Sequence, residues 1–163
     1  MGLLGAYLEP LLNLRREAKM KARKPSNRRY LFEQFAAVRR YQGNLSLSPD
    51  GSEIAYITNT SGQFNLWRQP STGGYPRQLT LFTDNTVRSV SWSPDGGSIA
   101  FHADRHGDEF HQLYILDAGG EWPQQLTNVP DAQHFVSSEP WSPEGKYLAY
   151  YANTESGRTW TLW

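Results

Sequence analysis

Ser48-Pro49-Asp50-Gly51, Ser93-Pro94-Asp95-Gly96 and Ser142-Pro143-Glu144-Gly145 are three copies of one turn, with glycines 45 and 49 residues apart. Proline is pre-set for the second position of a type I turn, Asp suits the third, and Gly accepts the left-handed backbone that follows. Each copy reads as a compact connection between antiparallel strands, with a bulge at the glycine. The incoming strands end in Leu47, Trp92 and Trp141. The outgoing strands run through Ile54-Ala55-Tyr56, Ile99-Ala100-Phe101 and Leu148-Ala149-Tyr150. Large and small side chains alternate there, as a sheet packed on both faces requires.

Further out, Leu66-Trp67, Leu113-Tyr114 and Leu162-Trp163 recur in the same order, and two units close with Gln78-Leu79-Thr80 and Gln125-Leu126-Thr127. A third strand is expected over Phe64 to Arg68 and Gln112 to Leu116, and a short fourth near Arg77 to Leu79 and Gln124 to Leu126. Four strands in about 45 residues make one propeller blade. The expected fold is all-β: a partial β-propeller of about three four-stranded blades over residues 41–163. The blades lie near 43–80, 87–127 and 135–163, the last incomplete. A short helical, basic N-terminal segment, residues 1–40, precedes them. Its helix is expected over Tyr30 to Tyr41, where Leu31, Phe32, Phe35 and Val38 keep helical spacing and Gly43 follows as a stop.

The net charge of zero conceals a division. Residues 1–40 hold ten Lys or Arg against Glu9, Glu17 and Glu33, a net +7, and residues 41–163 carry the balancing −7. The basic run from Arg15 to Arg29 has the charge to meet nucleic acid or an anionic membrane, but a solvated extension is the simpler reading, and neither partner is expected. No run approaches the roughly 20 apolar residues that span a bilayer. Met1 to Leu8 lacks a preceding positive residue, unlike a signal peptide, and Ala6 stands where a myristoylation signal needs Ser or Thr. The absence of cysteine excludes a disulfide framework and a thiolate site, and fits a cytoplasmic location.

Three sets of residues invite a functional reading. Trp92 and Trp141 could be stacking platforms, but their recurrence in register with the turn makes them core residues between blades. Asp50 and Asp95 could ligate a metal, yet Glu144 replaces them once without disturbing the pattern. His102, Asp104, His106, Asp108, Glu109 and His111 lie within ten residues. Alternation along a strand would place the first three on one side, a set suited to zinc or manganese. Against that, the segment joins the second and third strands of a blade, with Gly107 at its tip, and reads as an exposed polar loop. A nucleophile elbow needs G-x-S-x-G, which is missing. No catalytic residue, cofactor site or metal site is therefore expected within the chain.

With Ser-Pro-Asp-Gly, Ile-Ala-Tyr/Phe, Leu-Trp/Tyr and Gln-Leu-Thr in that order, residues 43–163 resemble the propeller repeats shared by TolB and the prolyl oligopeptidase family of serine peptidases. A short helix running directly into the first unit looks like the acylaminoacyl-peptidase branch. TolB instead places an α/β domain before its propeller. The resemblance implies a non-catalytic propeller that gates short peptides to a C-terminal α/β-hydrolase domain carrying Ser, Asp and His, none of which maps onto this chain. The expected partners are that domain, the remaining blades and a peptide substrate, and the chain reads as a fragment. The alternative is a TolB-like protein-interaction module. An open ring leaves edges uncovered near Tyr56, Trp67, Tyr150 and Trp163, so oligomers through open blade edges are expected.

Overall fold

The structure is a computed structural model that describes residues 38–153 and the backbone of residues 161–162. The basic run and Leu31, Phe32 and Phe35 of the expected helix lie outside the described residues. The end of that helix does not, and here the expectation fails: residues 38–40 have no regular structure and Tyr41 already opens a strand. The cause is visible in the hydrogen bonds. Asn59 Oδ1 accepts the Arg40 N–H at 2.6 Å and Thr58 Oγ1 donates to the Arg40 carbonyl at 2.7 Å. Both backbone groups of Arg40 are thus satisfied by the first sheet and not by a helix.

Strands β1 (Tyr41–Leu47), β2 (Glu53–Thr58), β3 (Asn65–Pro70) and β4 (Arg77–Gln78) form one antiparallel sheet in that order. β5 (Asn85–Trp92), β6 (Ser98–Arg105), β7 (Gln112–Asp117) and β8 (Gln124–Gln125) repeat it. β9 (His134–Trp141), β10 (Leu148–Ala152) and β11 (Thr161–Leu162) form the third sheet. The described chain is all-β and folds as part of a β-propeller. Tyr56 pairs with Trp67 and Phe101 with Tyr114, so the two apolar motifs of the first two blades face one another. Phe101 is wholly buried and stacks on Tyr114 at 5.3 Å, with Phe82 closing the cluster from the preceding linker.

The sheets meet along their first strands. β5 touches β1 and β9, whereas among the described strands β4 and β8 touch only β3 and β7. Side chains of β1 seat the second sheet: Asn44 Oδ1 and Ser46 Oγ accept the edge N–H groups of Val90 and Trp92 at 2.7 and 2.9 Å. Arg68 ties the two from the other side, pairing with Glu53 at 3.0 Å and donating to the Ala118 carbonyl at 2.7 Å. Trp141 Nε1 reaches the Ser91 carbonyl across the next seam. Trp92 is 7% exposed, whereas its repeat counterpart Leu47 is 53% exposed, because no described sheet precedes β1.

The Ser-Pro-Asp-Gly turn is held from within. Ser48 Oγ donates to Asp50 Oδ1 at 2.5 Å and accepts the Glu53 N–H at 2.9 Å, and Ser93 repeats both bonds with Asp95 and Ser98. Hydrogen bonds from Ser48 and then Ser52 hold the Asp50 carboxyl down at about 2, and Ser93 and Gly97 lower Asp95 in the same way. Gly96 sits at φ 76°, where a side chain is strained.

Gln-Leu-Thr is a clamp. Thr80 Oγ1 donates to Asn65 Oδ1 at 2.7 Å and accepts the Leu66 N–H at 2.9 Å, while Gln78 Nε2 donates to the Thr80 carbonyl at 2.8 Å. Thr127, Gln112, Leu113 and Gln125 repeat the arrangement in the second sheet. Thr80 and Asn65 are each 1% exposed. Thr80→Val keeps the shape but strands a buried N–H, and is expected to cost about 2 kcal/mol in urea unfolding. Thr83→Val, at an exposed position, is the control. Equal midpoints for the two variants would remove the clamp from the account.

Candidate functional site

The second sheet departs from the repeat where polar groups are buried. Counted from the turn glycines, His102 stands in the place of Ile57 and Tyr151, and Asp104 in the place of Asn59 and Asn153. Counted back from Leu113, His111 stands in the place of Phe64. Asn59 and Asn153 serve the fold directly: their side-chain oxygens accept the N–H groups of Arg40 and Gln133 at 2.6 and 2.7 Å. Asp104 makes no such cap, because β6 runs on to Arg105, which pairs with Asn85.

Asp104 is instead wholly buried and paired with a cation. Its Oδ2 accepts a 3.2 Å bond from Arg88 Nη2, and its Oδ1 has no partner among the described residues. Arg88 reaches it from a bulge in β5, where pairing jumps from Val87↔Ala103 to Ser89↔His102. The Arg88 side chain remains 40% exposed, and one of its five N–H donors is engaged among the described residues.

His102 lies beside this pair. Its Nδ1 is 3.0 Å from Ser89 Oγ and accepts the Val136 N–H at 3.3 Å. A backbone N–H only donates, so Nδ1 is the unprotonated nitrogen and the neutral ring carries its proton on Nε2. The ring meets His111 and Phe135 edge-on at 5.2 and 5.0 Å. Burial, with lesser contributions from His111 and Arg88, pushes the His102 pKa down to about 3. Burial also lowers His111, partly offset by Asp104, and lowers His134. The His111 Nδ1 is buried without a partner among the described residues.

The expected exposed loop from His102 to His111 therefore needs correction. Only residues 105–110 are exposed; His102 and Asp104 are buried on β6 and His111 is buried at the entrance to β7. His102 takes the buried strand place that Ile57 has in the first sheet, and β6, two residues longer than β2, keeps Asp104 on the strand as well. Alternation does put His102 and Asp104 on one face, but the chain leaves the strand before His106. Among the described residues no group of three or more His, Asp or Glu is placed to hold a metal. Ser89 with His102 has the look of a nucleophile and its base. A ring with a pKa of about 3 whose Nδ1 also binds a backbone N–H is too weak a base near neutral pH. Arg88 and Ser89 belong to no motif of the repeat. The signal that could have found them is the register, which sets Asp104 against two asparagines.

No protein-family model matches the chain. The uncharacterised peptidase YuxL of Bacillus subtilis is 33% identical over 121 residues, covering 69% of this chain and 17% of YuxL. Dipeptidyl aminopeptidase BIII of Pseudoxanthomonas mexicana is 29% identical over 90 residues, 55% of this chain and 13% of that enzyme. A solved structure described as TolB from Agrobacterium tumefaciens matches with a TM-score of 0.62 at 25% identity, covering 76% of this chain and 42% of that one. The relatives thus include peptidases and a TolB-like protein, and the chain is a propeller module that spans less than a fifth of either peptidase's length.

Proposed function

We propose that this chain is propeller from a serine peptidase of the prolyl oligopeptidase family, of the acylaminoacyl-peptidase kind. In that reading it gates the passage of short peptides to an α/β-hydrolase domain encoded outside residues 1–163. The observation that carries it is the 33% identity to a peptidase over 121 residues. That length exceeds two repeats of 45 to 49 residues, so the likeness runs through successive blades. A cytoplasmic place for the parent protein belongs to the same proposal and draws on the absence of cysteine.

The test is to express the complete open reading frame and treat it with a serine-directed fluorophosphonate. One labelled serine outside residues 1–163, with turnover of acyl-aminoacyl peptides and not of folded proteins, is the expected result. The 163-residue chain alone should hydrolyse the same substrates at the buffer rate. The TM-score of 0.62 to a TolB-like structure favours a second reading, a propeller that binds other proteins. A full-length product with no reactive serine that captures a protein partner would replace the first reading with it.

A further inference from the structure

A pocket of about 220 Å³ opens on the second sheet, between the β6–β7 connection and the linker that follows β8. The first sheet closes the corresponding gap with a side chain. There, Asn65 Nδ2 and Gln78 Nε2 both donate to Ser61 Oγ, at 3.4 and 3.0 Å. In the second sheet Asp108 stands in the place of Ser61, and its Oδ1 turns back to the N–H groups of Arg105 and Phe110. Gln112 stands in the place of Asn65, one methylene longer. Its Nε2 donates to the Val129 and Ala132 carbonyls, both at 3.1 Å. The linker it holds has six residues, 128–133, against four, 81–84, in the first blade. Longer linker and longer amide together leave the gap open.

The walls are shaped at some expense. His106 at φ 54°, Glu109 at φ 64° and Asp131 at φ 58° are the non-glycine residues with left-handed backbone among those described, and all three lie in the two segments that form the pocket. In the first blade the place of Glu109 is taken by Gly62. Left-handed non-glycine residues persist where surrounding bonds over-determine them. Here the His106 N–H donates to the Asp84 carbonyl at 2.8 Å, and Gln133 Nε2 donates to the Glu109 carbonyl at 3.1 Å.

The lining is chemically divided. Arg105 supplies a cation, Asp108 and Asp131 supply anions, and none of them forms an ion pair among the described residues. Phe110 and Tyr114 add aromatic surface. The volume is below the roughly 300–1,000 Å³ of pockets for drug-sized ligands. We propose that this pocket binds a free α-amino acid with an aromatic or large apolar side chain. The α-carboxylate meets the Arg105 fork, and the side chain lies against Phe110. The α-ammonium meets Asp131, since Asp108 Oδ1 is already turned to the Arg105 and Phe110 N–H groups. The proposal stands apart from the peptidase reading and survives if that reading fails.

Isothermal titration of the 163-residue chain with L-phenylalanine tests it. Saturable one-to-one binding is expected. N-acetylphenylalanine lacks the ammonium and phenylalaninamide lacks the carboxylate, and each should bind at least about tenfold more weakly, as should Arg105→Gln and Asp131→Asn chains. Both positions are exposed, and unchanged melting of the variants separates lost binding from lost folding. Absence of saturable heat overturns the proposal, as does equal binding of the blocked forms or undiminished binding by either variant.

Discussion

Acidification from about pH 7 to about pH 4 is expected to remove about 3 kcal/mol of stability through His102 alone. The unfolded chain takes up a proton on this ring near 6.5, whereas the folded chain refuses it until about 3. Stability is therefore complete above 6.5 and falls as pH drops toward 3. The groups around the ring set this outcome: Ser89 and the Val136 N–H on Nδ1, His111 and Phe135 edge-on, and the Arg88 cation nearby. His111 and His134 are lowered too and add in the same direction. Asp50 and Asp95 contribute only below 3.8, where the hydrogen bonds to their carboxylates are lost on protonation. Urea unfolding at a series of pH values measures the slope. His102→Ile installs the residue that the first blade has at this position and should flatten the slope between about pH 6 and 4. An isoleucine variant with the parental slope would show that the acid sensitivity lies elsewhere.

Arg88→Leu is expected to cost about 3 kcal/mol, because it leaves the wholly buried Asp104 carboxylate without its cation. Adding Asp104→Asn should recover most of that loss. An amide carries no charge to desolvate, and the first and third blades hold Asn at this position. The double variant, compared with both single variants in urea, gives the coupling directly. Simple additivity would mean that Arg88 and Asp104 do not act as a pair. Recovery would show that the charge pair is no requirement of the blade.

Much of the architecture was legible because a repeat states its own register. Ser-Pro-Asp-Gly marks each first hairpin through local geometry: a fixed proline φ, a serine–aspartate bond two residues apart, and a glycine at positive φ. Ile-Ala-Tyr and Leu-Trp alternate as two-faced strands must, and Tyr56↔Trp67 and Phe101↔Tyr114 face each other as that spacing implies. Gln-Leu-Thr was visible as a motif but not as a clamp, since Asn65 and Thr80 are 15 residues apart and meet only when β3 and β4 pair.

The site was less legible, for a definite reason. Local composition between His102 and His111 is that of a polar loop, and six of those residues are indeed exposed. His102 takes the buried strand place that Ile57 has in the first sheet, and the continuation of β6 to Arg105 keeps Asp104 on the strand. Phe135 and Val136 of the third sheet, more than 30 residues further along the chain from His102, meet His102, and Phe135 also meets His111. The sequence by itself determined the three turns, the strand order and the two-faced strands, because each depends on neighbours within one repeat. Only the tertiary structure decided which ionisable groups lose water, since desolvation depends on how one sheet seats against the next.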